Sequence, residues 1–192
     1  MALQRAAVEH GAAPPPQPRG ALGGRDGRAP RRGSGADPVV TGETLELGRR
    51  TDRRPPFKYS ALTRVSFSDT DAQGVVYYGR YLPYFDLARV EYHRHLGRLR
   101  DDSVWFVARA SNVEYHAPAR FDDLLEVFVR ISRIGRTSAT YEWAAYRLPD
   151  DARLVTGTQT IVLIDPATRT PVPIAEHVRE PIRAFEGADL AE

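Results

Sequence analysis

The sequence predicts an α+β fold in which an antiparallel sheet packs against one long helix. Apolar residues recur at three- and four-residue spacing over a single long stretch, from Tyr78 to Leu96. Segments in which residues alternate with a period of two precede and follow this stretch, and turn residues separate them. Strands joined by short turns form antiparallel sheets, and a helix with one apolar stripe buries that stripe against such a sheet.

The first strand and the helix are predicted in the part of the chain before residue 97. Tyr59–Ser68 reads as a strand, because its odd-numbered residues form one continuous face. Tyr78–Leu96 reads as the helix. Pro83 falls in or near the first helical turn, where its missing N–H is tolerated, and Gly97 follows as the stop.

The rest of the domain alternates with a period of two, as strands with one buried face do. A short helix is expected around Glu180–Phe185, since the surrounding prolines leave little room for a longer one. The predicted strands of this part are Ala108–Tyr115, Leu125–Ser132, Thr137–Arg147 and Leu154–Ile164.

The composition of the chain changes near Pro56. Residues 1–56 hold 8 of the 15 prolines and 9 of the 15 glycines, and all of the aromatic residues lie after them. A segment of this composition buries too little apolar surface to offset the entropy of ordering it. We therefore expect residues 1–56 to be a disordered extension and residues 57–192 to form one domain.

The formal net charge of +2 is the sum of two opposite parts. Residues 1–56 carry 10 cations and 6 anions, whereas residues 57–192 carry 17 cations and 19 anions. Prolines and glycines oppose the amphipathic helix of a transit peptide, and the extension lacks the dense charge or aromatic residues of a nucleic-acid tail. A solvated tail or a misplaced start codon explains the extension more simply, so we expect no nucleic-acid partner.

Several classes of protein are excluded or disfavoured by composition. Cysteine is absent, which excludes disulfides, cysteine zinc sites and a thiol nucleophile. No apolar run approaches the ~20 residues of a membrane-spanning helix, and the N-terminus has no secretory apolar core. His93 and His95 lie two residues apart on a helix and make a poor metal pair. We expect a cytoplasmic protein without a metal or other cofactor.

The densest polar motif is the segment SDTDAQGVVYYG at residues 68–79. Asp69 and Asp71 lie where a strand gives way to a loop, and a carboxylate there can activate water or attack an acyl carbon. The unpaired N–H groups of Tyr78 and Gly79 at the helix start could stabilise an oxyanion. Spacing alone favours the alternative, in which one aspartate caps the helix and the other is a turn residue. His116, at a strand end, is most simply structural or exposed.

The segment RVSFSDTDAQGVVYYGRYLPYFDLARVEY resembles the opening motif of the hydroxybenzoyl-CoA thioesterase family of hotdog-fold acyl-CoA thioesterases. The stretches VEYHAPARFDDLLEVFVRI, GRTSATYEW and GTQTIVLID resemble the later strands of that family in the same order. The resemblance runs from about Phe57 to Pro173. It implies a hotdog fold, in which an antiparallel sheet wraps around one long central helix.

The resemblance also implies roles for individual residues. The catalytic aspartate of the family is the second acid of a D-x-D element followed by a loop glycine, which here is Asp71 with Gly74. In the family, the thioester carbonyl is held by a backbone N–H at the helix start, which here falls on Tyr78. Some relatives have histidine at the position of Tyr78, and relatives often have asparagine at the position of Arg80. Members form dimers or pairs of dimers with active sites at subunit interfaces, so a homodimer or homotetramer is expected.

The expected function is hydrolysis of an acyl-CoA or acyl-carrier-protein thioester to a free acid and a thiol. One alternative is an acyl-CoA-binding hotdog protein without turnover, which the intact Asp71 opposes. The other is a hotdog dehydratase on hydroxyacyl thioesters, which would need a histidine, and residues 69–92 contain none. The sequence leaves open whether the acyl group is aromatic, short or long, and whether Asp71 acts as a base or as a nucleophile.

Overall fold

The computed structural model describes residues 47–98, 105–148 and 150–192. Within these residues, six strands form one antiparallel sheet in the order β1-β2-β4-β5-β6-β3. The elements are β1 (Gly48–Arg54), β2 (Phe57–Arg64), α1 (Tyr81–His95), β3 (Trp105–Tyr115), β4 (Leu124–Ile134), β5 (Ser138–Leu148), β6 (Ala152–Ile164) and α2 (Glu176–Glu186). The predicted α+β architecture is confirmed.

The long helix lies across β2 and β4. A 3-10 turn at Tyr78–Arg80 precedes α1, so the predicted helix is present with a tighter first turn. Pro83 lies in the first turn of α1, and Gly97, with φ of +68°, ends it as predicted. Tyr78 and Leu82 belong to the predicted apolar stripe but are exposed.

The core lies between α1 and the sheet. Its largest fully buried members include Tyr59 on β2, Tyr92 on α1, and Leu125 and Ile131 on β4. These residues alternate along each strand and recur at helical spacing, which is why the sequence pattern located them. The second helix starts at Glu176, earlier than predicted.

The predicted domain boundary at Pro56 is wrong for residues 48–54, because these residues form β1. This strand pairs with β2 in antiparallel register, and Gly48 lies opposite Ala61. Arg49 and Arg53 form ion pairs with the carboxylate of Glu126, which is 1% exposed on β4. Ladder hydrogen bonds and ion pairs therefore order a strand that has no aromatic residue. Residues 1–46 lie outside the described residues, and their disorder stays a prediction.

The strand β3 lies at an edge of the sheet and is exposed along most of its length. Its large apolar side chains are exposed as well, with Trp105 at 54%, Phe106 at 43% and Tyr115 at 51%. An uncovered edge with apolar side chains is a surface on which a further strand can pair. Within the described residues, no helix is long and apolar enough to cross a membrane.

Candidate active site

Asp69 fastens the loop between β2 and α1. Its Oδ2 atom accepts hydrogen bonds from the Ser66 N–H at 2.9 Å and from the Tyr84 hydroxyl at 2.7 Å. Its Oδ1 atom lies 3.3 Å from Nε of Arg80, so the cation at this position is bound to the loop. The Tyr77 N–H donates to the Asp69 carbonyl at 2.9 Å. With both oxygens engaged, Asp69 is a structural residue of the loop.

Asp71 lies in a tight turn of the same loop. Its Oδ1 atom accepts a hydrogen bond from the Gln73 N–H at 2.8 Å, and its carbonyl accepts one from Gly74 at 3.0 Å. Gly74 has φ of +72°, a conformation that favours glycine. Among the described residues, no hydrogen bond reaches Oδ2 of Asp71. The turn holds the carboxylate and leaves one of its oxygens available to a ligand.

The 3-10 turn before α1 presents two backbone donors. The Tyr77 N–H donates to the Asp69 carbonyl, and the Arg80 N–H donates to the Tyr77 carbonyl. None of the hydrogen bonds within the described part of the chain uses the N–H of Tyr78 or Gly79. Unpaired N–H groups at a helix start can stabilise developing negative charge.

A cleft of about 590 Å³ brings Asp71 and Tyr78 together, and Gly79 lies outside its lining. The other side of the cleft is the end of β3 and the residues after it, including His116. This second segment is held against the loop, because the Val76 N–H donates to the Ala119 carbonyl at 2.8 Å. In addition, the Tyr115 hydroxyl donates to the Tyr78 carbonyl at 3.1 Å. A cleft of this volume suits a small-molecule ligand.

His116 was not predicted as a site residue, yet it lines the same cleft as Asp71. Its Nε2 atom lies 2.9 Å from the hydroxyl oxygen of Thr156 on β6. The pairing of β3 with β6 brings this histidine to the cleft, and the two strands are about forty residues apart in sequence. Local sequence patterns carry no signal for such a long-range pairing.

Several tyrosines line the same cleft as Asp71. Burial raises the pKa of Tyr81 and, with the nearby Tyr78, that of Tyr115. Both hydroxyls therefore stay protonated at neutral pH. The Tyr115 hydroxyl donates to the Tyr78 carbonyl, and the Tyr81 hydroxyl accepts the Ala119 N–H at 3.2 Å. They accompany the Asp71 carboxylate as neutral groups.

A second cavity, of about 480 Å³, lies between α1 and residues of β3, β4, β5 and β6. Phe106, Tyr141 and Gln159 line it from the sheet, and Arg89 lines it from the helix. Behind it, Nε2 of His93 lies 2.6 Å from the Tyr141 hydroxyl. Across the described ranges, no three His, Asp or Glu side chains are grouped so that they could hold a metal ion.

Comparison with known proteins identifies the family. Residues 65–182 match the family described as the thioesterase-like superfamily. The chain belongs to the thioesterase-like superfamily. The predicted family resemblance and hotdog fold are thereby confirmed.

Two curated relatives have been given thioesterase names. The acyl-CoA thioester hydrolase YbgC of Escherichia coli O6:H1 is 43% identical over 82 residues, which are 41% of this chain and 61% of that protein. The chain thus spans less than two thirds of the length of the E. coli relative. The acyl-CoA thioesterase YbgC of Haemophilus influenzae is 32% identical over 126 residues, which are 63% of this chain and 91% of that protein.

A solved structure shares the fold and part of the sequence. A thioesterase of Thermus thermophilus, solved in complex with coenzyme A and Zn, is 30% identical to this chain. The superposition has a TM-score of 0.57 and covers 66% of this chain and 94% of that one.

Proposed function

We propose that the chain hydrolyses an acyl-CoA thioester to a free acid and coenzyme A in the cleft that contains Asp71. The observation that carries the proposal is that one cleft contains both Asp71 and Tyr78. Among the described residues, Oδ2 of Asp71 and the N–H of Tyr78 have no hydrogen-bond partner. The thioesterase names of the relatives from E. coli and H. influenzae support the reaction. The coenzyme A in the T. thermophilus structure supports the substrate class.

The chemistry follows from these two groups. Asp71 takes a proton from a water molecule whose oxygen attacks the thioester carbonyl carbon, or its own oxygen attacks that carbon. The carbonyl oxygen then becomes an oxyanion, which the N–H of Tyr78 stabilises. A donor of this kind contributes about 10²–10³-fold to kcat. The carbon–sulfur bond breaks as the carbonyl re-forms, and the thiolate leaves. Where Asp71 is the nucleophile, water then cleaves the resulting anhydride, which releases the acid and regenerates Asp71.

The proposal includes a second copy of the chain. The β3 edge is exposed, and Phe106 on this edge also lines the second cavity. A copy that pairs along β3 would continue the sheet and cover Trp105 and Phe106. Light scattering tests whether the copies associate. The wild-type protein should have the molar mass of a dimer or tetramer, and the Phe106→Asp variant should have a lower molar mass. A monomeric wild-type protein would contradict this part of the proposal.

The test of the reaction is thiol release from aromatic, short-chain and long-chain acyl-CoAs and from acyl-carrier-protein thioesters. Asp71→Asn should lower kcat by about 10²-fold or more without lowering the melting temperature. Asp52→Asn, an equal change on β1, is the matched control and should leave kcat unchanged. Wild-type turnover by Asp71→Asn on the preferred substrate would exclude Asp71 as the catalytic group.

A dehydratase is the second candidate, because His116 supplies to the cleft the histidine that residues 69–92 lack. A dehydratase would convert a 3-hydroxyacyl thioester to an enoyl thioester without releasing thiol. Enoyl absorbance and thiol release, followed in the same sample, distinguish the two reactions. Binding of acyl-CoA with neither signal would identify a protein that binds its ligand without turnover.

A further inference from the structure

We propose that His116 is a further catalytic residue, which donates a proton to the departing thiolate of the substrate. This inference rests on the proposed thioester hydrolysis and deepens it. His116 lies at the end of β3 and lines the cleft opposite Asp71. A thioester held with its carbonyl at the Tyr78 N–H occupies the space between the two segments.

The surroundings of His116 suit a group that gains and loses a proton. Its Nε2 atom is 2.9 Å from the hydroxyl oxygen of Thr156, and a hydroxyl can donate to or accept from an imidazole. Thr156 can therefore hold the ring in either protonation state. No hydrogen bond within the described residues reaches Nδ1 of His116, and the side chain is exposed, so bulk water can reload it.

Two hydrogen bonds, one from the His116 backbone and one from the Tyr115 hydroxyl, hold the end of β3 against β6 and the loop. The His116 N–H donates to the Leu154 carbonyl at 2.8 Å, which ties the residue to β6. The preceding residue, Tyr115, donates to the Tyr78 carbonyl at 3.1 Å. Tyr115, the neighbour of His116 in sequence, is thus bonded to Tyr78, the residue whose N–H is the proposed oxyanion donor.

The proposed step balances in protons and electrons. Asp71 activates the attack, and the oxyanion collapses with cleavage of the carbon–sulfur bond. The electron pair of that bond stays on sulfur, which takes a proton from the imidazolium of His116. The neutral imidazole then regains a proton from water, while the proton taken up by Asp71 is released. The net reaction is a thioester and water giving an acid and a thiol.

Titratable and charged groups lie on the elements around His116. The loop contributes a carboxylate, β3 contributes a second carboxylate and a phenol, and β5 contributes a guanidinium that donates to the Pro118 carbonyl at 3.2 Å. These groups, with the phenols before α1, are Asp71, Tyr77, Tyr78, Tyr81, Glu114, Tyr115 and Arg147. Imidazole is the side chain whose ordinary pKa lies nearest neutrality. A general acid of this type makes the rate fall on the alkaline side of a pH profile.

The experiment compares two leaving groups in the full-length protein. An alkyl thiolate such as coenzyme A is a strong base and benefits from protonation, whereas an aryl thiolate leaves without it. His116→Gln should lower kcat about 10²-fold on the acyl-CoA, lose the alkaline limb, and keep the wild-type rate on the S-phenyl thioester of the same acyl group. His177→Gln, an exposed histidine on α2, is the matched control and should leave both rates unchanged.

A change at Thr156 provides a second, milder test. Thr156→Val should shift the alkaline limb and lower kcat on the acyl-CoA, and Thr156→Ser, which keeps the hydroxyl, should restore both. Equal losses on the two leaving groups, or an unchanged pH profile in His116→Gln, would overturn the role of His116. That outcome with an inactive Asp71→Asn leaves hydrolysis by Asp71 in place, whereas an active Asp71→Asn excludes Asp71 as the catalytic group. Absence of thiol release by the wild-type protein from every thioester would remove the proposed function itself.

Discussion

The phenol of Tyr92 donates a hydrogen bond to the carboxylate of Glu186 across 2.6 Å, with both residues fully buried. The same oxygen, Oε1, accepts the Ile131 N–H at 3.0 Å, so Glu186 joins α1, β4 and the end of α2. Its Oε2 atom is buried without a hydrogen-bond partner in the described part of the chain. Burial raises the pKa of Glu186, although its two hydrogen bonds lower it in part.

Glu186→Gln should stabilise the protein at neutral and higher pH. A carboxyl whose folded pKa lies above its unfolded value contributes stability at low pH, and this contribution is lost as pH rises through the folded pKa. The variant removes that loss and should gain about 1–2 kcal/mol in free energy of unfolding at pH 8, with a gain that shrinks toward pH 4. Urea unfolding followed by circular dichroism measures it. A gain of equal size at all pH values would refute the explanation, and exposed Glu180→Gln is the control.

His93 should destabilise the fold in acid. Burial, with help from Arg89, lowers the pKa of His93 to about 4. Because the unfolded chain binds this proton more tightly, the stability is full above about pH 6.5 and is lost as pH falls toward 4, by up to about 3 kcal/mol. His93→Gln should flatten this part of the pH–stability curve, as measured by urea unfolding. The same acid slope in wild type and variant would count against His93, with His177→Gln as the control.

The two aspartates of the loop should separate into a structural and a catalytic residue. Asp69→Ala leaves the buried Tyr84 hydroxyl without its acceptor and should lower the free energy of unfolding by about 1–3 kcal/mol. Asp71→Asn should leave stability almost unchanged, since the Gln73 N–H keeps an oxygen acceptor. Thermal melting of the two variants measures which of them loses more stability. A larger loss of stability in Asp71→Asn than in Asp69→Ala would reverse the assignment.

The strand β1 should contribute measurably to stability. Without it, Glu126 keeps only the Ser60 hydroxyl, at 2.9 Å, as a partner for a buried charge among the described residues. A chain that starts at Leu47 should unfold like the full-length protein, whereas one that starts at Phe57 should lose about 3–5 kcal/mol. Adding Glu126→Gln to the shorter chain should recover part of the loss. Equal stability of the two truncated chains would show that β1 does not stabilise the fold.

Much of the fold could be predicted because its signals are local. The stripe on α1 and the alternation from Leu125 to Ile131 depend on neighbouring residues, and burial follows them. The turn at Asp71 could also be located, since its polar and glycine residues lie within the same few positions. These features need no knowledge of which strands are neighbours.

The remaining features depend on contacts between distant parts of the chain. β1 is ordered by Arg49 and Arg53, whose partner Glu126 lies more than seventy residues away. His116 reaches the cleft because β3 pairs with β6 rather than with β4, the next strand in sequence. No pattern within a single segment specifies either arrangement.

One strand, β3, borders both cavities, since Phe106 lines the second cavity and Tyr115 lines the cleft with Asp71. A molecule that binds along β3 therefore contacts the strand whose end carries His116 and the Tyr115 hydroxyl that bonds to Tyr78. If the occupant is another copy of the chain, turnover per molecule becomes a function of enzyme concentration. Dilution would then inactivate the protein without unfolding it, and activity would return on concentrating the same sample.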